Sequence, residues 1–116
     1  MERKTYKELV KEVDRRTEAV FNKMNQSLEN PNDTKLRIEV IQDIALNIEG
    51  NLQMIKLVQT LIEDNEKSNN IGLFTKLKNV YYLVKINNYY CATNDTLIEV
   101  AYEHGFAINK GGDKNE

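Results

Sequence analysis

Few residues of this chain could do chemistry. The sequence holds one histidine, His104, and one cysteine, Cys91. Acid–base and nucleophilic catalysis both need a reactive side chain next to a second group that tunes it. His104 precedes Gly105, where we expect a helix to end and its dipole to favour the protonated ring, and Cys91 has no reactive neighbour in the sequence. We therefore expect a capping or surface role for His104, a packing role for Cys91 and no catalytic residue.

Metal and phosphate sites are not predicted either. The chain has no Cys-x-x-Cys, no His-Glu-x-x-His and no Glu-x-x-His spacing, the patterns that place several ligands around one metal ion. Glu103 and His104 are adjacent, so their side chains point apart on a helix. Gly111 and Gly112 follow no predicted strand and precede no predicted helix, unlike a phosphate-binding loop. The sequence thus predicts no metal, no cofactor and no enzymatic activity.

Composition indicates an ordinary globular domain. In 116 residues, 16 basic and 18 acidic side chains give a formal net charge of -2, so no overall positive field favours nucleic acid or an anionic membrane. No apolar run reaches the roughly 18 residues of a membrane span, and the start Met1–Lys4 is not followed by the apolar core of a signal peptide. A single cysteine fits a reducing compartment. We expect a cytoplasmic protein without membrane insertion.

Two adjacent tyrosine pairs, Tyr81–Tyr82 and Tyr89–Tyr90, suggest a binding surface. In a helix or a strand the two members of such a pair point in different directions, and exposed tyrosine is enriched at protein interfaces. We expect Tyr82 and Tyr89 to be the outward members. With neighbouring cationic side chains, the predicted partner-binding residues are Tyr82, Tyr89, Tyr90, Lys78 and Lys85.

Other interpretations of these residues remain open. A mixed cationic and aromatic surface, which here would also include Lys76, is used by proteins that bind single-stranded nucleic acid. The tyrosines could equally line a homodimer interface or a wide core. Three lysines on one helix are also typical of a solvated face.

The longest apolar pattern of the chain predicts the central helix of the fold. Apolar residues recur every three or four positions from 38 to 62, which indicates one helix of about thirty residues. The main stripe comprises Ile38, Ile41, Ala45, Ile48, Leu52, Ile55 and Ile62. A second stripe beside it comprises Val40, Ile44, Met54, Val58 and Leu61, so the helix needs neighbours on two sides. We expect it to continue through Gly50, with a break there as the alternative.

Capping and breaking signals place the first helix and the loops. The helix begins near Thr5, which has the capping-box spacing with Glu8. It ends before Pro31, and the linker of about four residues is short enough for an αα-hairpin. The polar run 64–70 predicts the next loop.

The last part of the chain predicts two shorter helices. Helical spacing gives a third helix over about 71–87, with a β-hairpin over 80–91 as the alternative, because that stretch is rich in β-branched and aromatic residues. A fourth, short helix is expected to be capped by one of residues 93–95. It would end at Gly105 in the left-handed conformation, with Phe106 closing a hydrophobic contact.

The segment Thr96–Phe106 resembles the first helix and turn of a helix-turn-helix unit of the arabinose-regulator family. The resemblance rests on Ala101, which would pack inside the motif, and on Gly105 and Phe106, which would form the turn before a recognition helix. It implies DNA binding through that second helix. Residues 107–112 depart from the pattern, since they leave no room for a recognition helix. We therefore interpret Gly105 as a helix C-cap.

These observations predict an all-α fold. It would be a small antiparallel bundle of three long helices and one short C-terminal helix, with a dimer as an open alternative. Residues 1–108 would form a single domain, and 109–116 a polar disordered tail.

The predicted function is non-enzymatic binding of a protein partner, or of a second copy of the chain. Asn, Lys and Ile are abundant and Trp is absent, a bias typical of low-GC Gram-positive bacteria and their phages. We therefore expect a regulator or inhibitor, encoded by a phage or mobile element, that covers a functional surface of a host protein. The alternatives are a bacteriocin-immunity-type helical bundle, by analogy of fold only, and a nucleic-acid-binding transcriptional regulator.

Overall fold

Three helices account for almost all of the chain that the computed structural model describes, which is residues 5–106. They are α1 (Tyr6–Glu29), α2 (Thr34–Lys67) and α3 (Leu73–Glu103), and they pack as a bundle. This range contains no strand. The all-α prediction is therefore confirmed, and the β-hairpin alternative over 80–91 is wrong. The predicted domain limit at 108 and the predicted tail 109–116 lie outside the described residues.

The first two helices both begin at a side-chain cap, and that of α1 is the cap that the sequence predicts. Glu8 N donates to Thr5 Oγ1 at 3.1 Å and Thr5 N donates to Glu8 Oε1 at 2.9 Å, which completes the capping box. Asp33 then caps α2, because its Oδ1 accepts from the backbone N–H of Leu36 at 3.0 Å. Both side chains satisfy amides that the first turn of a helix leaves without partners. The chain reverses direction over the short turn containing Pro31.

The second helix is longer than its apolar pattern. It runs unbroken through Gly50, as predicted, for 34 residues. The predicted loop over 64–70 is wrong in its first part, since α2 continues to Lys67.

Contacts across the hairpin explain this extension. Asn65 Nδ2 donates to the carbonyl of Lys76 at 3.1 Å, and Asn79 Nδ2 donates to Asn65 Oδ1 at 2.9 Å. Because these bonds join the last turns of α2 to the first turns of α3, residues 64–67 stay helical and the loop shortens to 68–72.

The third helix is continuous, so the predicted separate fourth helix is wrong. Two of the three residues considered as its cap, Thr93 and Asn94, make helical or cross-helix bonds instead. Thr93 Oγ1 donates to the carbonyl of Tyr89 at 2.9 Å within the helix, and Asn94 Nδ2 donates to the carbonyl of Ile48 on α2 at 3.2 Å. A side chain engaged in this way does not compete with the backbone, so the helix passes through.

The end of α3 is confirmed as a glycine C-cap. Gly105 has φ 78°, a left-handed conformation that favours glycine. Its N–H bonds to the carbonyl of Tyr102, and the N–H of Phe106 bonds to the carbonyl of Ala101 at 2.7 Å, the pattern of a Schellman motif. Phe106 is fully buried, as predicted. The recognition helix that the helix-turn-helix resemblance would require falls outside the described residues.

The core consists of two apolar clusters. The cluster near the α1–α2 turn comprises Val20, Met24, Val40, Ile44, Leu97, Ala101 and Phe106. The cluster toward the α2–α3 loop comprises Val13, Val58, Leu83, Ile86 and Tyr90. On α2 the deepest residues therefore come from the second predicted stripe, whereas Ile38 and Leu52 of the main stripe are exposed.

A polar pair lies between the two clusters. Asn51 of α2 and Asn94 of α3 are both buried, and Asn51 Nδ2 donates to Asn94 Oδ1 at 2.8 Å. In each helix the pair occupies the same face as the apolar core residues on either side of it. A paired asparagine in such a seam costs stability but fixes the register of the two helices.

The first helix is held to the other two by polar as well as apolar contacts. Lys23 Nζ lies 2.8 Å from Asp43 Oδ2 and 3.6 Å from Glu39 Oε1 on α2. The hydrogen bond to Asp43 is the main cause of a raised pKa of Lys23. The Tyr89 hydroxyl of α3 donates to the carboxylate of Asp14.

Candidate partner-binding surface on the third helix

The tyrosines predicted to bind a partner occupy different depths. Tyr90 is 2 % exposed and belongs to the second core cluster, so its side chain does not lie on the surface. Tyr82 and Tyr89 are half-buried and pack against the same cluster. In the first pair the outward member is Tyr81, at 68 % exposure, and not Tyr82 as predicted. Five residues turn a helix by about 140°, so Tyr81 points away from Ile86, which faces the core.

Tyr89 also has a role within the fold. Its ring meets that of Tyr6 edge to face, with the centroids 6.3 Å apart and an interplanar angle of 76°. Its hydroxyl is bound to Asp14. The ring and the hydroxyl of Tyr89 therefore both hold α1 against α3, with or without a bound partner.

The two predicted lysines lie beside aromatic rings. Lys85 Nζ is 4.3 Å from the ring centroid of Tyr6 and 5.4 Å from that of Tyr81. Lys78 Nζ is 5.8 Å from the ring centroid of Phe74. At these distances the cations are attracted to the ring faces. The structure thus brings both lysines to the edge of the surface that carries Phe74 and Tyr81.

That surface is an exposed apolar face on the first half of α3. We define the outer face of α3 as Leu73, Phe74, Leu77, Tyr81 and Val84, whose exposures range from 40 to 75 %. Of the large apolar side chains described, Phe74, Leu73 and Tyr81 are the three most exposed. Monomeric proteins rarely leave such residues grouped on one face unless the face has a function.

The helical spacing of these residues predicts the third helix, but it does not show that this side of the helix is exposed. The first half of α3 carries apolar residues on two faces. Leu83 and Ile86 face α2 and α1 in the second core cluster, and Leu77 and Val84 face outward. The signal in the sequence was that this helix carries two apolar stripes, whereas α1 and α2 together can cover only one of them. The other stripe had to be exposed.

The segment that carries the outer face contains basic but no acidic residues. From Ser68 to Asn94 the sequence contains Lys76, Lys78 and Lys85 and no Asp or Glu, although the chain as a whole has a net charge of -2. Lys76 Nζ donates to the carbonyl of Glu66 at 3.2 Å and so belongs to the hairpin. Lys78 and Lys85 are the cations that lie along the outer face.

The residues considered for chemistry lie apart from this surface. His104 is the exposed C-cap residue of α3. Cys91 is half-buried and lies 3.9 Å from Asn87 Nδ2, its hydrogen-bond donor. Within residues 5–106 no group of three or more His, Cys, Asp or Glu side chains is placed to hold a metal ion. The absence of catalysis stays a prediction.

None of the helices in the described part of the chain has the length and apolar character needed to cross a membrane.

Comparison with known proteins finds no relative. No protein-family model, no curated protein and no solved structure matches the chain.

Proposed function

We propose that this chain is a non-enzymatic protein-binding module and that its partner docks on the outer face of α3. The observation that carries this proposal is the grouping of five large apolar side chains, each at least 40 % exposed, on one helical face. Exposed aromatic and aliphatic residues of this kind form the centres of protein interfaces.

The fold itself does not require these residues to be apolar. Both core clusters are built from other side chains, and α3 contributes Leu83, Ile86 and Tyr90 to one and Leu97 and Ala101 to the other. A solvent-exposed leucine or phenylalanine adds little to stability compared with a buried one. Binding explains the composition of the outer face more directly than folding does.

Within this class, the proposed role is regulation or inhibition of a host protein by occlusion. The Asn-, Lys- and Ile-rich composition supports an origin in a phage or mobile element of a low-GC Gram-positive host, and hence a cytoplasmic site of action. Tyr82 and Tyr89 remain predicted contacts through the parts of their rings that are not buried. Tyr90 does not contact the partner in this proposal, because its side chain is in the core.

A homodimer is the second candidate. The five residues of the outer face are exposed in the described part of a single copy, residues 5–106, and two such faces could cover each other. This would make the chain a structural or regulatory dimer. Measurement of its mass in solution separates the two candidates.

The test is affinity purification of tagged protein from a low-GC Gram-positive lysate, in moderate salt and after nuclease treatment. The bait is the wild type, a Leu77→Glu, Tyr81→Glu variant, or a Leu46→Glu control, since Leu46 is similarly exposed, at 67 %, on α2. We expect one stoichiometric protein with the wild type and the control, and a loss of most of it with the α3 variant.

Circular dichroism must first show that all three baits are equally helical. Equal recovery of the partner by all three would reject the outer face as the docking site. A different result would be recovery of the bait alone, with a dimeric mass in solution for the wild type and a monomeric mass for the α3 variant. The occupant of the outer face would then be a second copy of the chain and not a foreign partner.

A further inference from the structure

The outer face of α3 has the spacing of a coiled-coil seam. Phe74, Leu77, Tyr81 and Val84 follow one another at intervals of three, four and three residues, which are the a and d positions of a heptad repeat. All four side chains are exposed. In the same register Lys78 and Lys85 occupy the two e positions. Side chains at e lie beside the seam and face the neighbouring helix of a coiled coil.

These two lysines give the seam a charge preference. Their ammonium groups lie close to the exposed rings, at 5.8 Å from Phe74 for Lys78 and at 5.4 Å from Tyr81 for Lys85. The sequence supplies no acidic residue on α3 before Asp95. A helix packed on the seam would therefore meet two cations that α3 itself does not balance. Such charges select partners and set their orientation.

A second copy of the chain fits this arrangement poorly. In an antiparallel pair of α3 helices each e position faces an e position, so lysine would oppose lysine. In a parallel pair e faces g, and the g residues that would face Lys78 and Lys85 are Leu73 and Val80. Neither pairing brings a carboxylate to Lys78 or Lys85. Like charges and unpaired charges at an interface act against association.

We propose that the partner presents an amphipathic α-helix whose apolar stripe covers the outer face of α3 and whose flank carries Asp or Glu opposite Lys78 and Lys85. The inference rests on the proposed function and names the chemistry of the partner. The seam from 74 to 84 is about 17 Å long at 1.5 Å per residue, so about three turns of the partner helix are engaged. Recognition would follow the helix-packing mode of peptide binding, with anchors every three or four residues.

The test uses three labelled peptides of about two heptads, each held helical by a hydrocarbon staple and shown to be monomeric. All carry Leu at a and d, and they differ only in having Glu, Gln or Lys at e and g. Fluorescence anisotropy gives their affinities for the full chain at low and high salt. We expect the Glu peptide to bind about tenfold more tightly than the Gln peptide at low salt, since two exposed ion pairs contribute on this scale. The Lys peptide should be weakest.

Variants make the assignment specific. Leu77→Glu should abolish binding of the Glu peptide. Lys78→Gln, Lys85→Gln should reduce its advantage over the Gln peptide to near unity, as should high salt. Lys56→Gln, an exposed lysine of α2, should change nothing.

Several results would overturn the inference. They are equal binding of the three peptides, binding of none, a chain that is dimeric through the outer face, and displacement of the Glu peptide by a single-stranded oligonucleotide. The first two leave the proposed function intact if the lysate partner still depends on Leu77 and Tyr81. Loss of that dependence would reject the proposed function as well.

Discussion

Replacing Leu97 with alanine is expected to lower the free energy of unfolding by about 2–5 kcal/mol. Leu97 is 0 % exposed and packs in the first core cluster, so truncation removes buried apolar contacts and leaves a cavity. The matched change in the same helix, Leu77→Ala, is expected to stay within about 0.5 kcal/mol of the wild type, because Leu77 is 60 % exposed. Urea denaturation followed by circular dichroism measures both.

Comparison of the two variants tests which apolar residues of α3 belong to the core and which belong to the exposed outer face. Both positions are leucines within the helix, so helix propensity changes equally and cancels between the two variants. A large loss for Leu77→Ala would mean that the outer face is covered in the free protein. The docking surface would then not exist in the form described.

Replacing Asn51 with leucine is expected to cost about 1–3 kcal/mol, because it leaves the buried Oδ1 of Asn94 without its donor. That donor is Asn51 Nδ2, at 2.8 Å. Changing both residues to leucine is expected to recover most of the loss, since no buried polar group then remains unpaired and two apolar groups fill the layer. A double-mutant cycle by chemical denaturation gives the coupling between the two sites.

The cycle has a clear contradictory outcome. If the two single losses simply add in the double variant, the asparagines do not act as a pair. If they are coupled as expected, the polar layer between the two apolar clusters serves register more than stability.

Local signals in the sequence were sufficient to place most helix ends. Thr5 and Glu8 form the capping box of α1 through bonds to each other. Gly105, in the left-handed conformation, and Phe106 form the C-cap of α3 through their own backbone groups. Such features depend on residues within one turn. The predicted loop at 64–67 and the predicted cap at 93–95 are wrong because of contacts between helices. Asn65 and Asn94 bind across the α2–α3 hairpin. A sequence alone does not show which distant carbonyl an asparagine will reach.

Of the residues at the candidate surface, the sequence predicts the two lysines but not the apolar side chains. The structure places Lys78 and Lys85 beside exposed aromatic rings, and their binding of a partner stays a prediction. The sequence predicts Tyr81 as the inward tyrosine, whereas the structure has it exposed, because the spacing of α3 is compatible with either of two apolar faces. The choice is made by α2 and α1, which cover Leu83 and Ile86. Only packing between helices determines which tyrosine is left exposed.

The most direct measurement is site-specific photo-crosslinking in a low-GC Gram-positive host. Benzoylphenylalanine would replace Tyr81 on the outer face or Asn22, an exposed residue on the side of α1 away from the core. A single covalent adduct with one host protein from position 81, absent from position 22, is the predicted result. Adducts of equal yield from both positions, or none from position 81 while the protein still captures a partner, would contradict docking on the third helix.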